Sequence, residues 1–298
     1  MATTSLLAGR DPAQPAAPEP LLRQDRVTAM RAASIALSEA HLDGTRDAAL
    51  GSGVLLRLGG LSARLARDEA DLEAALELRG RLFRGEANCW SDRDAFDAQC
   101  AHVLLERDGR LSGTFRTNVF RGAEIARSYS AQCYGLGPLQ AVRQTTLELG
   151  RFCLAGDARD ADLLRLALGA LTVLAEREGA RMLFGCASFK GADPGAHRDS
   201  LALLARRHLG PKSQRPTRIA AAAVDLSELT EVGDETVDLK AGLRQMPTLL
   251  RAYLGLGGWV SDHAVIDRDL QTVHVFTAVD IARIPASRAR ALRALART

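Results

Sequence analysis

The sequence predicts an α/β (α+β) fold: a mixed central sheet with helices on both faces, plus a C-terminal strand and helix elaboration. Three observations predict it. Of the 298 residues, 47% are hydrophobic and 25% charged, which supplies apolar surface for one large core. Runs of strand periodicity alternate with helical ones in the order β-α-β-β-β-α-β-α, and further strands follow. No segment repeats, which excludes a solenoid or propeller.

Residues 1–50 read as an N-terminal tail. Four prolines between residues 12 and 20 leave little apolar surface to bury there, and one Ala-rich helix fits Val27 to Glu39. The folded domain is expected over 51–280. Its first runs, "VLLRL" and "LSARLA", read as strands, and Asp68 caps a helix reaching about Phe83. "HVLLER", the turn Asp108-Gly109 and "LSGTFRTNVF" form a hairpin by alternation and turn chemistry. The run "TTLELGRFCL" (145–154) is a strand. It leads into a helix from about Asp160 to Glu178, with Leu163, Leu164, Ala167, Leu171 and Leu174 on one stripe. "RMLFGCA" (181–187) is the next strand, followed by a helix around 198–209. Residues 210–245 carry no assignable pattern. After Pro247 come a helix over 248–255, a Gly-rich turn, and strands over 259–266 and 272–279. Residues 281–298 read as a basic C-terminal helix.

Composition narrows the function. Lys and Arg number 39 against 36 Asp and Glu, a balance too even for nucleic acid as the main partner. Five widely spaced cysteines, with no CxxC pair and no histidines at ligand spacing, predict a reducing compartment and no structural metal. Arg10 and Asp11 interrupt the region where a signal peptide needs its apolar stretch, and no run of 18 apolar residues occurs. A cytoplasmic protein that does not span the membrane is expected.

Three places hold chemistry. On the helix 68–83, Arg79 shares a face with Leu72, Ala75, Leu76 and Phe83, so it either meets a carboxylate inside or lays its stem along the core edge. Arg81 points to solvent. In "SDRDAFD" (91–97), Ser91 is a good N-cap, and Asp94 and Asp97 lie on one face a turn apart. Two such carboxylates suit a cationic ligand, although Asp94 also fits a capping box. In "TTLELGRFCL", Leu147 and Leu149 face the core and Glu148 faces away; a bulge at Gly150 shifts the parity and brings Arg151 onto the face of Glu148. The same bulge would splay this strand from 181–187 and open a slot.

The motifs "LRGRLF", W-x3-D-x2-D, "GTFR", "TLELGRFCL" and "LFGCASFKGADP" occur together in this order. Over about Leu61 to Asp280 the chain resembles the ornithine-lipid-forming L-ornithine N(alpha)-acyltransferases, and more distantly the acyl-homoserine lactone synthases, both on the GNAT (N-acetyltransferase-like) fold. The resemblance implies transfer of a 3-hydroxyacyl group from the 4'-phosphopantetheine of acyl-carrier protein to the α-amine of ornithine, giving lyso-ornithine lipid, with no bound cofactor. It points to Arg79, Phe83, Trp90, Asp94, Asp97 and Arg116 for the substrate and to Glu148 and Arg151 for catalysis. The acyl and pantetheine slot is then expected along Phe152, Cys153, Phe184, Cys186 and Ser188. Two departures stand out. The stretch "AGDARDAD" lacks the glycines with which many GNAT enzymes cradle coenzyme A pyrophosphate, and "DRDLQTVHVF" carries Leu270 and His274 where the family pattern has Phe and Asp.

An ammonium cannot attack a thioester, so a base is required, and Glu148 is the candidate. Cys153 and Cys186 read as inert buried thiols. The stretch "IARIPASRARALRALART" holds Arg283, Arg288, Arg290, Arg293 and Arg297 with no acid, and suits an acidic carrier protein or anionic lipid heads at the inner membrane face. The competing functions are an acyl-homoserine lactone synthase-like enzyme and a non-catalytic GNAT-like module that binds a carrier protein or lipid.

Overall fold

The computed structural model of the chain describes residues 53–85, 92–141, 143–156, 160–231 and 237–297. The expected tail, Trp90 and the proposed cap Ser91 lie outside the described residues.

The described strands are β1 (Val54–Leu58), β2 (Leu61–Leu65), β3 (Ala101–Arg107), β4 (Arg110–Arg121), β5 (Tyr134–Gly135), β6 (Thr145–Leu154), β7 (Met182–Lys190), β8 (Thr217–Arg218), β9 (Ala223–Asp225), β10 (Trp259–Asp267) and β11 (Thr272–Asp280). Nine of them form one mixed sheet in the order β1-β2-β3-β4-β6-β7-β11-β10-β9, and β5 pairs with β8 apart from it. The hairpin turn between β3 and β4 needs two left-handed residues and has them, Asp108 at φ 49° and Gly109 at φ 77°. Helix α1 (Glu69–Arg84) starts where the Asp68 carboxylate accepts the N–H of Asp71. Helix α2 (Ala161–Arg177) starts in the same way at Asp160, which takes the N–H of both Asp162 and Leu163. Helices α3 (Arg198–Arg207), α4 (Leu239–Gln245), α5 (Thr248–Gly255) and α6 (Ala286–Leu295) complete the set used below. The stretch 210–245, unreadable from its pattern, supplies the edge strand β9 and helix α4.

Both faces of the sheet are covered. On one, Leu147, Leu149, Leu183 and Val279 pack under α2 residues Leu163, Leu166, Ala170, Leu171 and Leu174. Each such leucine contributes roughly 1.5–3 kcal/mol of burial. Further along this face, Phe189, Val273 and Val275 meet Leu201 and Leu204 of α3 and Leu250 of α5. On the other face, Phe120, Phe184, Trp259 and Phe276 pack with Ile125, Tyr134 and Leu139 from the segment linking β4 to β6.

The junction of β4, β6 and β7 sets the site. Thr114 pairs with Cys153 and Arg116 with Gly150, so β6 carries one residue more than β4 between these pairs. This is the expected bulge, with one difference: the left-handed residue is Arg151, at φ 51°, and not the glycine beside it. On its other side β6 pairs with β7 only at Thr146↔Met182, Leu147↔Leu183 and Glu148↔Phe184. Beyond Glu148 the two strands leave one another. Gly185 sits at the parting point, where a Cβ would lie 2.3 Å from the Leu149 carbonyl oxygen. The expected slot is a closed seam on the side of α2. On the α2 side the space is an apolar crevice of about 160 Å³ among Phe115, Leu149, Phe152, Leu168, Leu171 and Leu249, without room for a water molecule.

Candidate active site

Arg79 of α1 is buried and meets two carboxylates. It donates through Nη1 to Asp97 at 2.6 Å and through Nη2 to Asp92 at 3.0 Å, and also to the Asp92 backbone oxygen. Arg116 of β4 donates through Nη1 to Asp94 and Asp97, both at 2.6 Å. Arg151, projected by the bulge, reaches Asp92 through Nε at 2.9 Å and Asp94 through Nη2 at 3.0 Å. Arg84, at the end of α1, joins Asp92 at 3.2 Å to Asp269 at 2.8 Å. Four guanidinium groups thus interleave with four carboxylates, and the charges cancel. Burial alone would raise the Asp97 carboxyl; the Arg79 hydrogen bond and the charges of Arg116 and Arg79 outweigh it and hold it at about 2.

This arrangement changes the part played by several residues. Arg79 and Asp97, which the resemblance places among the substrate contacts, face each other and hydrogen-bond inside the network. Asp269 and Arg84 form its exposed end, and of the members nearer Glu148 Asp94 and Arg151 are the more open, with side chains 23% and 10% exposed. Phe83 is half-buried on α1. The sequence reading missed Asp92, Arg84 and Asp269. A charge count holds the clue to Asp92, since Arg79, Arg116 and Arg151 outnumber Asp94 and Asp97 among the expected site residues.

Glu148 and Arg151 do share a face, and the linker segment explains how. The Glu148 carboxylate accepts the Ser130 N–H at 2.8 Å, the Ser130 hydroxyl at 2.7 Å and the Tyr129 N–H at 3.1 Å. The Tyr129 ring lies 4.9 Å from the Arg151 guanidinium and 5.5 Å from that of Arg116. Phe96 meets the same ring edge-on at 5.4 Å. Burial raises the Glu148 carboxyl above its ordinary value, against the hydrogen bonds from Ser130 and Tyr129 and the charge of Arg116. An acid raised in this way is suited to exchanging a proton with an amine. Tyr129 and Ser130 gave no signal in the sequence, because they lie in a segment without periodicity.

The five residues expected along the slot divide between two surfaces. Phe152 faces α2, stacked on Phe115 at 6.2 Å. Cys153 is buried, and burial raises its thiol to about 12, near Arg79 and Asp92. Phe184 pairs with Glu148 and, with Cys186 and Ser188, alternates onto the Glu148 face. The Cys186 thiol lies 3.6 Å from the Ser130 hydroxyl and burial raises it too, so neither cysteine is a ready nucleophile. The β7-facing edge of β6 beyond Glu148 has no strand partner among the described residues. A raised acid, a bulge with free backbone edge and an adjoining seam form an arrangement that can deprotonate an amine beside an acyl thioester.

A model of the acetyltransferase (GNAT) domain matches residues 77–168, which run from α1 through the bulged strand into α2. The L-ornithine N(alpha)-acyltransferase of Rhodobacter capsulatus is 35% identical over 234 residues, covering 73% of this chain and 88% of the relative. That of Brucella abortus is 32% identical over 250 residues, covering 78% and 88%. That of Rhizobium meliloti is 28% identical over 256 residues, covering 80% and 86%. With relatives 35% and 32% identical over 73% and 78% of its length, the chain belongs to the L-ornithine N(alpha)-acyltransferase family and has the GNAT acyltransferase fold.

Proposed function

We propose that the chain moves a 3-hydroxyacyl group from the phosphopantetheine thiol of acyl-carrier protein to the α-amine of ornithine, giving lyso-ornithine lipid. The observation that carries this reading is Glu148, a buried acid held by three donors on the bulged strand, in a chain whose relatives are ornithine acyltransferases. The ornithine ammonium gives one proton to Glu148, directly or through water. The neutral amine then attacks the thioester carbon: the C–N bond forms, the C–S bond breaks, and the second amine proton leaves as the pantetheine thiol is restored. Unpaired backbone N–H groups of β6 beyond Glu148 would meet the oxyanion, a contribution worth roughly 3–4 kcal/mol per donor. Arg151 is the cation at hand for the acceptor's carboxylate.

A carrier-borne donor suits the start of α2. Its first N–H groups are taken by Asp160, which also pairs with Arg107, so the helix terminus that seats pyrophosphate in other folds carries a carboxylate of its own. Among the described residues no helix is long and apolar enough to cross a membrane. The exposed arginines of α6 would provide a peripheral contact with the carrier or with anionic lipid. Incubation with ornithine and 3-hydroxyacyl-carrier protein, with matched acyl-coenzyme A and homoserine or S-adenosylmethionine controls, tests the reading by mass spectrometry. The Nα-acyl ornithine is expected from the carrier-borne donor; acyl-homoserine lactone, or no product from a folded protein, counts against it.

A further inference from the structure

We infer that Ser130 is a positioning residue for the transfer: its hydroxyl donates to Glu148 as a carboxylate and turns to accept from it once the ammonium proton has arrived. The inference rests on the role of Glu148 proposed above. Ser130 is fully buried, in the single turn Ser130–Gln132 of the linker between β4 and β6. Its N–H and its hydroxyl both reach Oε1 of Glu148, at 2.8 Å and 2.7 Å, while the Tyr129 N–H donates to Oε2 at 3.1 Å.

The three donors differ in what they can do. A backbone N–H only donates, so those of Tyr129 and Ser130 suit the carboxylate and offer a carboxylic acid nothing to donate to. A hydroxyl has one proton to give and two lone pairs, and it rotates about a single bond. Of the three, the Ser130 hydroxyl alone can serve both forms through which a base passes in each turnover. The backbone around it is pinned, which leaves rotation as the available motion. Ser128 Oγ accepts the Ala131 N–H at 3.2 Å, the Ser130 carbonyl accepts the Cys133 N–H at 3.1 Å, and the Tyr134 hydroxyl donates to the His274 carbonyl at 2.8 Å. The Cys186 thiol, 3.6 Å from Ser130 Oγ, is a weak donor and opposes the rotation little.

The other groups that border Glu148 hold their charge state near neutrality. Arg116 from β4 and Arg151 from the bulge are raised by their acidic partners and stay cationic. Burial lifts Tyr129 of the linker, Cys133 beside it and Cys186 of β7, and pushes Cys100, ahead of β3, up to about 12, so these four stay neutral. Asp92, Asp94 and Asp97 lie behind the arginines that pair with them. Glu148 is therefore the group whose titration an acid limb of kcat reports.

Ser130→Ala removes the hydroxyl and keeps both N–H groups. The pH profile of kcat, with ornithine and the carrier-borne donor saturating, should show its acid limb moved up by about 1–2 pH units, the worth of one hydrogen bond to a charged group. Ser130→Thr, which restores a hydroxyl, should bring the limb back toward the wild-type position. A limb that stays in place in Ser130→Ala, at an unaltered thermal midpoint, overturns the assignment even if the rate falls equally at every pH. Infrared titration of the protonated Glu148 carbonyl in the free protein, with Glu148→Gln to identify the band, separates this from the proposed function. An upward move in Ser130→Ala, with no acyl transfer by wild type or variant, keeps the hold of Ser130 on Glu148 and removes the reaction; an unmoved titration removes the role of Ser130.

Discussion

The guanidinium of Arg151 lies 4.9 Å from the centre of the Tyr129 ring, and the N–H of that same tyrosine donates to Glu148. One residue of the linker thus joins the bulge to the acid. A non-glycine residue at φ 51° is held against a cost of about 1–3 kcal/mol, and the pairs with Asp92 and Asp94 are what hold it. Lysine keeps the charge but cannot fork between two carboxylates. Arg151→Lys should lower kcat/KM by about 10- to 100-fold with the fold retained; steady-state kinetics beside far-UV circular dichroism check this.

Arg79 is expected to act on stability more than on chemistry. Its removal leaves Asp92 and Asp97 facing each other without their shared cation, which costs about 3–5 kcal/mol in buried pairs of this type. Urea unfolding of Arg79→Met should show a loss of that size. Asp94→Asn, at the open edge of the network, should lose less stability and more turnover.

Acid should act in two windows. Burial lowers His274 to about 4 from its ordinary 6.5, so the unfolded chain binds a proton that the folded one refuses. The stability this gives is present above about 6.5 and is lost as pH falls toward 4. Asp97, held at about 2, keeps its contribution above an unfolded value of about 3.9 and loses it as pH falls through 2. Denaturant titrations from pH 7 down should show both losses, each roughly 3 kcal/mol. His274→Gln should remove the first and leave the second.

The framework could be read from the sequence because its signals are local. Periodicity marked α1, α2 and the strands; turn chemistry marked the β3–β4 hairpin; a glycine in a strand marked the bulge. What stayed hidden depends on distance along the chain. Nothing near residue 130 announces that two N–H groups and a hydroxyl will close on Glu148, and the Arg84–Asp269 pair spans 185 positions. The left-handed residue fell on Arg151 rather than Gly150 because ion pairs with Asp92 and Asp94 outweigh the local preference of glycine. The seam was read as open, but apolar side chains from α2 and α5 fill the space between the diverging strands.

Helix α6 presents Arg288, Arg290 and Arg293 to solvent, while Leu292 packs into the core and Arg293 pairs with Glu176 at 3.6 Å. Replacing the three arginines with alanine should raise KM for the carrier-borne donor about 5- to 10-fold at low salt and leave kcat unchanged. The difference should fade near ~0.5 M salt, where the screening length is only a few ångströms. Equal KM values at low salt would exclude α6 as the docking surface.

The most direct test of the central claim is turnover by Glu148→Gln with ornithine and 3-hydroxyacyl-carrier protein, measured as Nα-acyl ornithine by mass spectrometry. Glutamine keeps an acceptor oxygen for Ser130 and Tyr129 but cannot take the ammonium proton. A fall of about 10²- to 10⁴-fold in kcat, in a protein that unfolds near the wild-type temperature, is the expected result. Near-normal turnover by that variant would contradict the role of Glu148 and the mechanism built on it.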